Sequence, residues 1–201
     1  MDYFLLIIDN TNNKRYFFNF LVSFLDEKKI NYVVITQVEQ LYKIRYKWSY
    51  IKGIILTGSN DNISDKLYIN LFSKTIASLY FIRQPVLGIC FGFQLLNVIM
   101  GGEISKMTQT CNKNIKIQKT TDHVLLKGLD HNFEVASYHA DQITKLAPNF
   151  NLLCTSETVL QGFFDDINRL YGIQFHPEKL KSTNVILENF IYEICLISRT
   201  N

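Results

Sequence analysis

Short apolar runs separated by helical-period stretches set the first constraint on this chain. Residues 3–8, 32–35, 53–56 and 86–89 are short, apolar and β-rich, and each reads as a strand. Between the first two, Tyr16, Phe17, Phe20, Leu21, Phe24 and Leu25 recur at helical spacing. Tyr68, Phe72, Ile76 and Leu79 mark one face of a second helix, which ends before Pro85. A third helix, over about 92–100, stops at Gly101-Gly102. Strand, helix and strand repeated in this way predict a parallel sheet covered on both faces.

The second half is less regular. Residues 115–117, 133–138, 152–154 and 158–164 read as shorter strands, and 171–175 as a clearer one. Ile186, Phe190, Ile194 and Ile197 place a helix at the end. There is no internal repeat, and three prolines in 201 residues leave no Pro-rich linker. The expectation is one α/β domain spanning 1–201. A domain of this size buries roughly 70% of the surface its unfolded chain exposes.

Composition excludes several classes. Hydrophobic residues make up 47% and charged residues 19%, a packed globular balance. The net charge is only +3 and no Lys/Arg run exceeds two, so no nucleic-acid partner is expected. The apolar run at the N-terminus is too short for a signal-peptide core, and Asp2 replaces a basic leader. No stretch approaches the ~20 apolar residues of a membrane span. Cysteines 90, 111, 154 and 195 form no CxxC pair and no zinc spacing with histidine. The expectations are a reduced, cytoplasmic protein with free thiols, no metal and no cofactor.

The most informative segment is Pro85-Val86-Leu87-Gly88-Ile89-Cys90-Phe91-Gly92-Phe93-Gln94. A buried strand runs into a Gly-x-Cys-x-Gly turn and then a helix, a cysteine form of the nucleophile elbow. Glycines at both flanks let strand and helix approach closely around a strained turn. The helix N-terminus then faces the sulfur and favours thiolate. A lone cysteine at a strand end is more often structural; the two flanking glycines shift the reading to a nucleophile.

A second constellation, Tyr171-Gly172-Ile173-Gln174-Phe175-His176-Pro177-Glu178, delivers His176 at a strand end with Glu178 two positions on. Histidine can take and return a proton near neutral pH, and a carboxylate can orient it. In isolation His-Pro-Glu is more often a loop with a solvated carboxylate. Both segments, however, fall at strand ends of one predicted sheet, the edge where ligands concentrate. A third strand runs into Thr57-Gly58-Ser59-Asn60, either an ordinary βα loop or a turn aiming N–H groups at an anion.

Together these segments resemble the class I, or triad, glutamine amidotransferases. The family pattern Gly-x-Cys-x-Gly-x-Gln is matched by Gly88 to Gln94, and Gly-x-Gln-Phe-His-Pro-Glu by Gly172 to Glu178. Within the family the chain is most similar to the amidotransferase subunit or domain of GMP synthase. The resembling stretches are Ala136 to Gln142, His123 to Leu129 and Ile186 to Phe190. Two departures stand out. Gly58-Ser59-Asn60 replaces the usual Gly-Gly-Pro of the oxyanion loop, and Tyr138 stands where the GMP synthase group has serine.

The resemblance implies a flavodoxin-like three-layer sandwich, with a mostly parallel central sheet and a smaller set of antiparallel strands in the second half. It implies a glutaminase with Cys90, His176 and Glu178 as triad, and Ser59 and Phe91 N–H groups as oxyanion donors. Gly58, Gln94, Tyr138, His139 and Asp141 would hold L-glutamine. No Ser-Gly-Gly-x-Asp-Ser pyrophosphate loop and no Walker motif occur, so the ammonia acceptor would belong to a separate synthetase chain. A stand-alone γ-glutamyl hydrolase with the same triad is the alternative reading, and a non-catalytic relic a third.

Overall fold

The computed structural model describes residues 3–11, 15–65, 69–157 and 159–198. In chain order the strands are β1 (Phe4–Ile8), β2 (Tyr32–Ile35), β3 (Ile51–Leu56), β4 (Val86–Ile89), β5 (Glu103–Lys119), β6 (Asn132–Lys145), β7 (Asn151–Ser156), β8 (Val159–Asp165) and β9 (Leu170–Ile173). The helices are α1 (Tyr16–Glu27), α2 (Val38–Lys43), α3 (Ile69–Ile82), α4 (Phe91–Ile99) and α5 (Asn184–Glu188). After α5 the chain continues as a π-helical turn over Asn189–Ile194. Of the residues invoked for these elements, Tyr68 and Thr158 lie outside the described residues, as does the side chain of Phe72.

These nine strands join one sheet in the order β2-β1-β3-β4-β9-β8-β7-β5-β6. The first five are parallel, and β8, β7, β5 and β6 extend the same sheet with antiparallel pairings. This is the α/β architecture expected from the alternating pattern.

Every residue of β1 is buried, because both faces of the parallel half are covered. Leu5 and Ile7 pack with Leu21 and Leu25 of α1 and with Ile186, Phe190 and Ile194 at the chain's end. Phe4, Leu6 and Ile8 pack with Leu41 of α2, Ala77 and Ile82 of α3, and Phe93 and Leu96 of α4. A strand alternating between two cores has no polar face, which is why these runs read as continuously apolar.

The second half departs from the expected lengths. Residues 115–117 and 133–138 are only parts of β5 and β6, two long arms. Only Ile117 of β5 is buried, so most of the strand carries no apolar period. Between the pairs Lys106–Asp141 and Cys111–His139, β5 advances five residues while β6 advances two, forming a wide bulge. The expected strand over 171–175 stops at Ile173, and the last helical turn stops at Ile194, short of Ile197. α2 gave no sequence signal, since Leu41 is its one buried residue.

Candidate active site

β4 ends at Ile89, and α4 starts at Phe91, so Cys90 alone makes the turn. Its backbone sits at φ 53°, ψ −105°, in the left-handed half of φ space that non-glycine residues rarely occupy. A Cβ on Gly88 would lie 2.6 Å from the Gly92 carbonyl, and one on Gly92 would collide with the Leu56 backbone. The two glycines therefore permit the close strand–helix approach that the strained turn needs. The Cys90 N–H donates to the Ile173 carbonyl at 2.9 Å, which ties the turn to β9.

That tie is the decisive piece of assembly. β4 and β9 are adjacent, with Gly88 opposite Gly172 and Ile89 opposite Ile173. Cys90 and the Gln174-Phe175-His176 segment thus leave the same sheet edge side by side. His176 Nδ1 lies 2.7 Å from Glu178 Oε1, and both side chains are buried. Burial favours neutral His176, but the charges of Glu178 and Cys90 and hydrogen bonds to both outweigh it. The imidazole is raised to about 10 and held as a cation. Gly58 sits against the pair: a Cβ there would be 2.9 Å from His176 Cε1 and 3.5 Å from Cys90 Cβ.

Sequence reasoning missed the cover on this histidine. Phe17 of α1 stacks on the His176 ring, with centroids 3.7 Å apart and planes at 16°, and it also meets Tyr138 at 5.2 Å. Tyr16 and Phe20 flank the Lys179 ammonium, which also contacts the Tyr16 hydroxyl. A helix with one buried face needs fewer aromatics than the five among residues 16–24 (Tyr16, Phe17, Phe18, Phe20 and Phe24). That surplus was the available signal.

The β6 segment closes another side. The Tyr138 carbonyl lies 3.5 Å from Cys90 Sγ. His139 and Asp141 do not offer their side chains freely. The Asp141 carboxylate accepts the Ser64 N–H at 2.9 Å and hydroxyl at 2.6 Å. His139 Nδ1 lies 2.8 Å from the Asp141 carbonyl, which can only accept, so Nδ1 carries the proton. Burial pushes the His139 pKa down, and its Nε2 is buried without a partner. Gln94 Nε2 donates to that same Asp141 carbonyl and to Gln174 Oε1, both at 2.9 Å. Ser64 is the other residue the sequence reading did not single out, and Gln174 entered it only as part of the family pattern, with no role.

Gly58, Ser59 and Asn60 line a small cavity together with Phe17, Thr57 and Glu178. Ser59 Oγ accepts the Asp61 N–H at 3.1 Å, which tightens the turn after β3. Phe91 opens α4 directly after the sulfur. Burial alone pushes the Cys154 thiol far up, and Cys195 follows it with a small opposing pull from Arg169. Among the described residues no group of three or more His, Cys, Asp or Glu is placed to hold a metal ion.

The sequence profile of the family "Glutamine amidotransferase class-I" matches residues 7–194. A GMP synthase (glutamine-hydrolyzing) of Dictyostelium discoideum is 34% identical over 170 residues, covering 78% of this chain and 23% of that protein. A GMP synthase of Petrotoga mobilis is 32% identical over 167 residues, covering 81% of this chain and 32% of that protein. The chain thus spans about a quarter to a third of the length of these curated relatives. Among solved structures, a Thermoplasma acidophilum protein provisionally named as one subunit of GMP synthase superposes with a TM-score of 0.81 at 23% identity. That match covers 98% of this chain and 95% of the other. A glutamine amidotransferase of Thermotoga maritima gives 0.70 at 18% identity, covering 96% and 84%.

Proposed function

Because the chain belongs to the class I glutamine amidotransferases, we propose that residues 1–201 form one glutaminase domain with Cys90, His176 and Glu178 as its triad. The observation that carries this reading is the buried His176, hydrogen-bonded to Glu178 at 2.7 Å and held as a cation beside the strained Cys90 turn. A thiolate next to an imidazolium is both a nucleophile and a proton donor at rest.

The Cys90 thiolate adds to the side-chain amide carbon of L-glutamine. The oxyanion forms near the Ser59 turn and the start of α4, where the Ser59 and Phe91 N–H groups serve as donors. His176 passes its proton to the amide nitrogen, the C–N bond breaks, ammonia leaves, and a γ-glutamyl thioester remains. Acylation removes the sulfur's charge, one of the influences that kept His176 protonated. The imidazole is now a competent base, takes a proton from water, and hydroxide adds to the thioester. Collapse expels the thiolate and releases glutamate. Glu178 fixes the imidazole throughout. Gly58 lines the cavity beside Glu178 and the Tyr138 carbonyl lies beside the sulfur, and glutamine would sit against both. Gln94 has its NH2 end already engaged and would meet the substrate through its oxygen.

We assign the ammonia to a separate synthetase chain, a GMP synthetase, acting in the cytoplasm. Support comes from the relatives named GMP synthase and from the structural likeness to a protein named as one subunit of it. The test is steady-state glutamate release by wild type and Cys90→Ala, with and without GMP synthetase from the same source. Slow release alone and at least a tenfold rise with the partner, about 1.4 kcal/mol of barrier, are expected. Cys90→Ala should be inactive in both. Full activity alone, with a preference for γ-glutamyl peptides, refutes the two-chain assignment.

A further inference from the structure

We propose that Gln174 is a further catalytic residue, donating a hydrogen bond to the Cys90 sulfur, and that Gln94 is the positioning residue that sets its orientation. The inference rests on Cys90 as nucleophile and adds a second hydrogen-bond donor to the sulfur besides His176.

The argument starts from an acceptor that has no choice. A backbone carbonyl only accepts, so the Gln94 group 2.9 Å from the Asp141 carbonyl is the NH2 end. Its second hydrogen points to Gln174 at 2.9 Å, so Gln174 must present its oxygen there. The NH2 end of Gln174 then faces the other way and lies 3.6 Å from Cys90 Sγ. Gln94, Gln174 and Cys90 are 3%, 0% and 4% exposed, so water does not compete for these positions. The backbone is fixed as well: Gln174 N–H donates to the Gln161 carbonyl at 2.9 Å, directly after the β4–β9 register that holds Cys90. One carbonyl on β6 thus dictates, through two amides, which end of Gln174 meets the sulfur.

This donor acts on the sulfur alongside His176. In the proposed cycle His176 gives its proton to the leaving nitrogen and then works on water. When the tetrahedral adduct of the thioester collapses, the C–S bond breaks and its electron pair goes to sulfur. A neutral, buried N–H already aimed at Sγ stabilises the departing thiolate without needing a proton of its own. It stabilises the attacking thiolate in the same way.

The experiment measures alkylation of Cys90 by iodoacetamide against pH, which needs no glutamine subsite, alongside glutamate release. Gln174→Met removes the donor at similar volume. Gln174→Glu keeps an acceptor for Gln94 and also loses the donor. Gln94→Glu never touches sulfur, but it confronts the Gln174 oxygen with a carboxylate and turns that amide around. Each variant should slow alkylation at neutral pH about tenfold, equivalent to about 1.4 kcal/mol, and move the alkylation curve to higher pH. Gln94→Glu/Gln174→Met should be no slower than the slower single variant, because both break one relay. A Gln174→Met curve that overlays wild type, or losses that multiply in the double variant, overturns the proposal. Failure of the amidotransferase reading looks different: wild type releases no glutamate while Cys90 alkylation still responds to Gln174→Met.

Discussion

Gly58→Ala adds one methyl group to the site, and the structure gives its consequence in distances. The new Cβ would sit 2.9 Å from His176 Cε1 and 3.5 Å from Cys90 Cβ. Comfortable carbon–carbon contact is about 3.5–4.0 Å, so the imidazole must retreat by roughly 0.6–1 Å. A free side chain would do so cheaply. His176 is not free: Phe17 lies against its face and Glu178 holds Nδ1 at 2.7 Å. A misplacement of about 1 Å in a reacting group can cost on the order of 100-fold, so kcat/KM for glutamine should fall between about 10- and 100-fold. Stability should change little, because the crowding is confined to the pocket wall. Steady-state glutamate release and thermal unfolding on the same preparation separate the two effects. A Gly58→Ala protein within twofold of wild-type kcat/KM would refute the claim that Phe17 and Glu178 clamp the ring.

Three further outcomes follow from the same clamp. Removing the carboxylate charge in Glu178→Gln should lower activity less than His176→Ala, with amide replacement costing up to about 10⁴ by analogy with the serine-protease triad; kcat for both checks it. A base whose folded pKa is raised stabilises the fold fully below its unfolded value and loses that contribution as pH rises through the folded one. His176, raised from 6.5 to about 10, should therefore make wild type lose unfolding free energy between roughly pH 6.5 and 10 relative to Glu178→Gln, and urea titrations across that range read it. Phe17→Leu should loosen the imidazole and lower kcat several-fold, while Phe17→Tyr retains most of it. Equal rates for all three proteins would show the stack to be mere packing.

Much of the site was legible because its chemistry is written in local segments. Gly88, Cys90 and Gly92 write an elbow within five residues: the room beside Gly88 is taken by Gly92 and Phe93 of the helix that follows, although the room beside Gly92 is taken by Leu56 of β3. His176 and Glu178 lie two positions apart, so their hydrogen bond needs only the turn between them. The parallel strands were legible for a related reason, since strands buried on both faces have no polar side to interrupt the apolar run. Where burial was lost, so was the signal. β5 is mostly exposed, and its 17 residues reduced to a short apolar fragment.

Sheet order decided the rest. β4 and β9 are neighbours although some 80 residues separate them, and only that adjacency brings Cys90 beside Gln174 and His176. Phe17, from the first helix, reaches His176 because α1 covers the face on which that edge opens. The orientation of the Gln174 amide depends on a carbonyl of β6, 33 positions earlier in the chain. Local periodicity and turn chemistry determine which segment becomes strand, elbow or helix, because those preferences act over a few residues. They leave open which strands become neighbours, since many sheet orders satisfy the same pattern. That choice is made by the packing of the whole core, and it turned separate motifs into one site.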